Sequence, residues 1–176
     1  MLEIEVTLKD SYDEATSTFG VLESHKVQLE HSLVSLSKWE AAWEEPFLSK
    51  KDKTSEQTVS YVRMMILGDD LPPEVFQKLL RNHLKEIQEY INAPMSATKL
   101  PKSQSQNSTR ESITAELIYY WMAELQVPME FQHWHLTRLF TAIQVFYVKK
   151  TPPKKMTQAE RRQLNRARLA QHKTRG

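Results

Sequence analysis

Apolar and polar residues alternate at the start of the chain, with Leu2, Ile4, Val6 and Leu8 on one side and Glu3, Glu5 and Thr7 on the other. A period of two is that of a half-buried strand. The alternation returns at Val27, Leu29, His31 and Leu33, and the polar stretch Asp10 to Gly20 between them reads as a loop. The two strands are predicted to pair antiparallel as a small ribbon over about 1–34. A lone ribbon is marginal in water, so it must lie on helices.

From about 37 to 149 the period changes to that of helices. Ser37-Lys38-Trp39-Glu40 fits a capping box, and Trp39 and Trp43 then stack one turn apart before Pro46 ends the helix. Thr54-Ser55-Glu56-Gln57 repeats the signature and opens a helix through Val59, Val62 and Ile66 that stops at Gly68. Pro72-Pro73 starts the next, whose Phe76, Leu79, Leu80, Leu84, Ile87 and Ile91 keep a continuous apolar stripe. Residues 92–110 turn polar and are expected to form a mobile loop. Ile113, Leu117, Trp121 and Leu125 form an i, i+4 ladder, Val127-Pro128 breaks it, and Phe131, Trp134, Leu139, Ile143 and Phe146 follow on a second helix. This pair is predicted to pack as an αα-hairpin at the centre of the core.

The fold class that results is mainly α: a compact helical domain over 1–150 with a small N-terminal antiparallel β-ribbon. A basic tail over 151–176, partly helical or disordered, follows it. Only three glycines occur in 176 residues, which argues against a glycine-rich phosphate loop or a sheet-and-turn architecture. The absence of cysteine excludes disulfides and thiolate zinc sites and suits a reducing cytoplasm. No secretory signal or membrane-length apolar run is read in the chain, which points to an intracellular protein without membrane contact.

Charge is unevenly distributed. Lys149 to Gly176 carries ten Lys or Arg against Glu160, a balance of +9, while the rest of the chain stands at −7. Lys154, Lys155, Arg161, Arg162, Arg166 and Arg168 could neutralise phosphates. The tail lacks interleaved aromatics to stack on bases, so nucleic acid is disfavoured as a partner against a solvated extension or a docking segment. Its Thr157-Gln158-Ala159-Glu160 reads as the cap of a last, solvated helix.

Candidate chemistry is sparse. His133-Trp134-His135 invites a metal reading, yet side chains two apart on a helix diverge, so one histidine is expected in the core and the other in solvent. His25, His31 and His83 are scattered, and Glu116 and Glu124 read as a solvated helix face. No nucleophile-elbow or dinucleotide fingerprint is present. No catalytic, cofactor or metal residue is therefore assigned, and an enzyme is the least favoured class. Four tryptophans, six tyrosines and six phenylalanines exceed what packing requires. Tyr119, Tyr120 and Phe140 are expected to remain exposed and to mark a protein-binding surface.

Several stretches carry a resemblance to a known family. Leu29-Glu30-His31-Ser32-Leu33, Ser37-Lys38-Trp39-Glu40, Pro46-Phe47-Leu48, Ile113 through Met122, Gln132-His133-Trp134-His135-Leu136 and Pro152-Pro153-Lys154-Lys155-Met156 resemble the tail assembly chaperones of tailed bacteriophages. The resemblance implies a non-enzymatic factor in the host bacterial cytoplasm that binds the tape measure protein, keeps it soluble and leaves as the tail tube polymerises. It implies the tape measure protein as partner, with the tail tube protein and self-association as further contacts, and no cofactor. A structural component kept in the virion, such as a minor tail protein, and a nucleic-acid-binding regulator working through the basic tail are the alternatives.

Overall fold

The computed structural model describes residues 1–13, 18–68, 70–98 and 112–150, together with Arg162, Asn165 and Arg166. Within them the chain is mainly α, with a two-stranded antiparallel sheet at its N-terminus. The expected loop over 92–110 falls largely outside the described residues, as does most of the basic tail, including the cap expected at Thr157.

The ribbon pairs β1 (Leu2–Asp13) with β2 (Thr18–Leu29) in the register Leu2 to Leu29, Ile4 to Val27 and Val6 to His25. Ile4, Val6, Val27 and Leu29 are buried, with Leu2 and Leu8 packed beside them. Both strands run further than the alternation suggested, to Asp13 and from Thr18, into the two ends of the stretch read as a loop from Asp10 to Gly20. A polar sequence does not prevent strand pairing, because the ladder itself satisfies the backbone. The register shifts between Thr7 and Lys9, and Lys78 donates to the Thr7 and Leu8 carbonyls there. The end of β2 is covered by the chain leaving α2 (Ser55–Met65), where Glu30 N–H donates to Met65 O and Leu67 N–H to Gln28 O.

The second alternation stops at Leu29, because Leu33 already belongs to α1 (Leu33–Trp43). Ser32 is the cap: its hydroxyl accepts from Ser35 N–H, and Ser35 Oγ accepts from Ser32 N–H. Ser37 and Glu40, read as the capping box, therefore lie inside the helix, and Glu40 has another task. Its buried carboxylate accepts from Phe47 N–H at 2.7 Å and, across the chain, from Ala115 N–H at 2.6 Å. The second bond holds the first turn of α4 (Ala115–Leu125) on α1. Glu40→Gln is expected to lower stability by about 2 kcal/mol, since an amide oxygen can serve one N–H while its NH2 confronts the other. A lowered urea midpoint with unchanged slope checks it.

Helix α1 contributes side chains to both sides of the core. Leu33, Leu36 and Glu40 face α4, whereas Ser35, Trp39 and Trp43 face α2, where Trp39 Nε1 donates to Gln57 O at 2.9 Å and Trp43 Nε1 to Ser60 Oγ at 3.0 Å. The indoles of Trp39 and Trp43 stack with centroids 6.0 Å apart. Thr54 caps α2 with Gln57 as predicted, but the buried face is Gln57, Tyr61, Val62 and Met65, and Val59 points outward. Helix α3 (Pro73–Asn92) starts at the double proline and buries Val75, Phe76, Leu79, Ile87 and Tyr90. Among the described residues the buried apolar side chains form two clusters, one under the ribbon, α2 and α3, the other between α1, α4 and α5 (Leu136–Lys150).

The central pair departs from a hairpin. Helix α4 turns Ala115, Ile118 and Met122 inward, while Leu117, Trp121 and Leu125 are half-buried and Ile113 is exposed. The small Ala115 is what lets the backbone come within reach of Glu40. After Val127-Pro128 comes a 3-10 turn (Met129–His133) and an extended Trp134, so Phe131 and Trp134 precede α5. The connection returns the chain to the link between β2 and α1, where Leu136 N–H donates to His31 O. Lys150 then reaches Glu124 O and Gln126 Oε1, each at 3.2 Å, so α4 and α5 end together. An antiparallel hairpin would hold those ends a helix length apart; here the Lys150 ammonium offsets two converging C-terminal dipoles.

Candidate functional site

The aromatic residues expected at a binding surface separate. Tyr120 is 60% exposed. Tyr119 is half-buried, with its hydroxyl donating to Gln132 Oε1 at 3.0 Å, and Phe140 is half-buried against the second cluster. Only Tyr120 of the three therefore stands out in water. Met129, Tyr147 and Val148 also remain exposed, and sequence reasoning missed them. The signal for Tyr147 and Val148 was the run Val145-Phe146-Tyr147-Val148, since four consecutive apolar positions cannot all lie on one buried face. Of the basic residues singled out in the tail, Arg162 and Arg166 are helical and exposed, and Lys154, Lys155, Arg161 and Arg168 lie outside the described residues.

A groove of about 100 Å³ opens between α2 and α3. Phe47 and Tyr61 form its floor with rings 4.1 Å apart, Leu84, Ile87 and Ile91 line the α3 side, and Lys53 stands at the rim. The Lys53 ammonium lies 4.8 Å from the Phe47 ring and 5.6 Å from the Trp39 ring. Such contacts hold a cation over an apolar surface without neutralising it.

A buried polar cluster joins the two halves of the core, and no sequence signal pointed to it. His31 Nδ1 and Tyr61 Oη are hydrogen-bonded at 2.5 Å, and the His31 and His135 rings meet edge to face at 4.9 Å. Tyr90 packs on His135 at the same distance, and its carbonyl oxygen lies 2.9 Å from His135 Nε2. A carbonyl can only accept, so Nε2 carries the proton of the neutral ring and Nδ1, buried and unpartnered, is a bare acceptor. Burial, reinforced by His135, pulls the His31 pKa down to about 4. Burial also lowers His135 and raises Tyr61 and Tyr90, so the cluster is uncharged at neutral pH. His133 lies outside it, its Nδ1 3.7 Å from Glu30 Oε1. The expected division of labour between His133 and His135 is therefore present, although His133 ends the 3-10 turn and His135 lies in the link before α5 rather than both on one helix. His31, read as isolated, is packed against His135. Among the described residues no group of three or more His, Asp or Glu side chains converges as a metal site.

Comparison with models of protein families, with curated proteins and with solved structures found no match. Among the described residues no helix is long and apolar enough to cross a membrane.

Proposed function

We propose that this protein is a non-enzymatic tail assembly chaperone of a tailed bacteriophage, binding the tape measure protein in the host cytoplasm and keeping it soluble until the tail tube forms around it. The reading begins from the family resemblance of the sequence. The single structural observation that carries it is the set of large apolar side chains exposed on α4, the 3-10 turn and α5: Tyr120, Met129 and Val148. A long amphipathic tape measure helix aggregates through its apolar stripe unless a partner covers it, and exposed aromatic and thioether side chains on a helical holder suit reversible cover.

Co-expression with the tape measure protein of the same genome tests the proposal. The expected result is a soluble, intact tape measure only when this protein is present, and its absence from purified particles by mass spectrometry. Equal solubility with and without it ends the chaperone reading, and retention in the particle favours a structural tail component. The charge asymmetry of the chain favours one further reading, nucleic-acid binding through the tail. A fluorescence-anisotropy salt series decides it, since phosphate neutralisation requires a steep negative slope.

A further inference from the structure

We propose that the groove between α2 and α3 seats one aliphatic side chain of a helical partner whose flanking carboxylate meets Lys53. The inference rests on the chaperone reading for the identity of the partner and on the groove alone for its chemistry. Its size sets the first limit: about 100 Å³ is smaller than the apolar cavity of about 150 Å³ that accepts benzene, so a Leu, Ile or Met side chain fits better than a ring. The walls set the second. Leu84, Ile87, Gln88 and Ile91 recur at i, i+3, i+4 and i+7 on α3, facing Thr58, Tyr61 and Val62 at i, i+3 and i+4 on α2. Two helical ridges leave a furrow into which the ridge of a third helix packs. Helical walls have their backbone groups already paired and offer none to an extended strand, so the occupant must satisfy its own backbone, as a helix does.

Charge sets the third limit. Lys53 contacts two aromatic rings and forms no salt bridge among the described residues, although Glu45 is close enough to feel its charge. The neighbouring Lys51 is already engaged by Glu45 at 2.8 Å. A cation beside an apolar slot selects an acid within a turn of the inserted side chain and repels a base there.

The test uses the full chain, with Val, Leu and Ile methyl groups labelled for NMR. The probe is an acetylated and amidated peptide of about 20 residues, long enough to hold a helix alone, with Leu at i, i+3, i+4 and i+7 and Glu on its flanks. A second peptide carries Lys in place of every Glu, and a third has the first composition shuffled. The acidic helix is expected to shift the methyl resonances of Val62, Leu84, Ile87 and Ile91, and to bind more tightly than the other two. Gln88→Trp, an exposed position whose indole would lie over the opening, should weaken it about tenfold or more. Lys53→Glu should weaken it about fivefold and reverse the preference between acidic and basic peptides, and the milder Lys53→Gln should remove the preference. Circular dichroism checks that each variant is folded. Absence of binding, shifts confined to other methyls, or equal affinity for the acidic and basic helices overturns the proposal. So does a wild-type dimer that Gln88→Trp makes monomeric, because the groove then belongs to a second copy. A wild-type protein that keeps the tape measure soluble, matched in this by Gln88→Trp, leaves the chaperone reading standing and removes the groove; a tape measure indifferent to the wild type removes that reading whatever the peptides do.

Discussion

Trp39→Ala is expected to lower the unfolding free energy by about 4 kcal/mol, within the range for emptying a buried indole site. Trp39 is 1% exposed, and its neighbours come from α1 itself, the segment after it and α2. Trp43 stacks on it, Phe47 meets it edge-on at 5.1 Å, and the Gln57 carbonyl accepts its Nε1–H. Alanine removes the ring from all three, and Trp43, tied to Ser60, and Phe47, whose N–H is held by Glu40, cannot close the space without breaking those bonds. A domain of this size has about 5–15 kcal/mol of stability in total, so the variant should unfold at a markedly lower urea concentration. Phe47 also lines the groove, and losing the ring that it meets edge-on and that holds Lys53 should weaken the acidic helix peptide in the same variant. A change below about 1 kcal/mol would mean that α1 does not join the two halves of the core.

What could be read from the sequence was local, and what could not was made by distant contacts. The proximal ribbon was legible because Leu2, Ile4 and Val6 alternate with acids, and α3 because two prolines start it and one stripe persists along it. The start of α1 was misplaced because Ser-x-x-Glu at Ser37 matches a capping box better than Ser-x-x-Ser at Ser32; the glutamate serves a backbone N–H far along the chain instead. The buried face of α4 was ambiguous from the outset: Leu117 through Met122 are all apolar, so two stripes compete, and packing against α1 selects the one containing Ala115. The histidine cluster and the α2–α3 groove leave no local pattern, since each is assembled from segments far apart in sequence. Of the candidate site residues, composition correctly signalled an excess of aromatics but could not say which would face water. That depended on the convergence of α4 and α5, which leaves Tyr120 out and draws Phe140 in.

Acidification from neutral pH to about pH 4 is expected to destabilise the fold by about 3 kcal/mol through His31 alone. Its pKa falls from an ordinary 6.5 to about 4 in the folded chain, chiefly by burial. Above pH 6.5 neither state is protonated and nothing is lost. Between 6.5 and about 4 the unfolded chain takes a proton that the native site refuses, so the loss grows as pH falls and is complete below about 4. The geometry agrees with the refusal: the His31 ring is buried with the His135 ring 4.9 Å away, and on His135 itself, whose Nε2 donates to the Tyr90 carbonyl, a second proton on Nδ1 would find no acceptor. His135, also lowered by burial, adds to the effect with the same sign. The exposed carboxylates of Glu23 and Glu45, held below their ordinary range by Lys9 and Lys51, add a loss of the same sign at the acid end of this window, and the comparison with His31→Phe subtracts it. Urea unfolding in steps from about pH 7.5 to about pH 4.5 should give midpoints that begin to fall near pH 6.5. His31→Phe gives up the bond to Tyr61 and should be less stable at neutral pH, yet its midpoint should fall less over the same interval. Equal pH slopes for wild type and His31→Phe between about 6.5 and about 4.5 would show that the native ring accepts the proton freely, and the sealed cluster would no longer explain how the two halves of the core are joined.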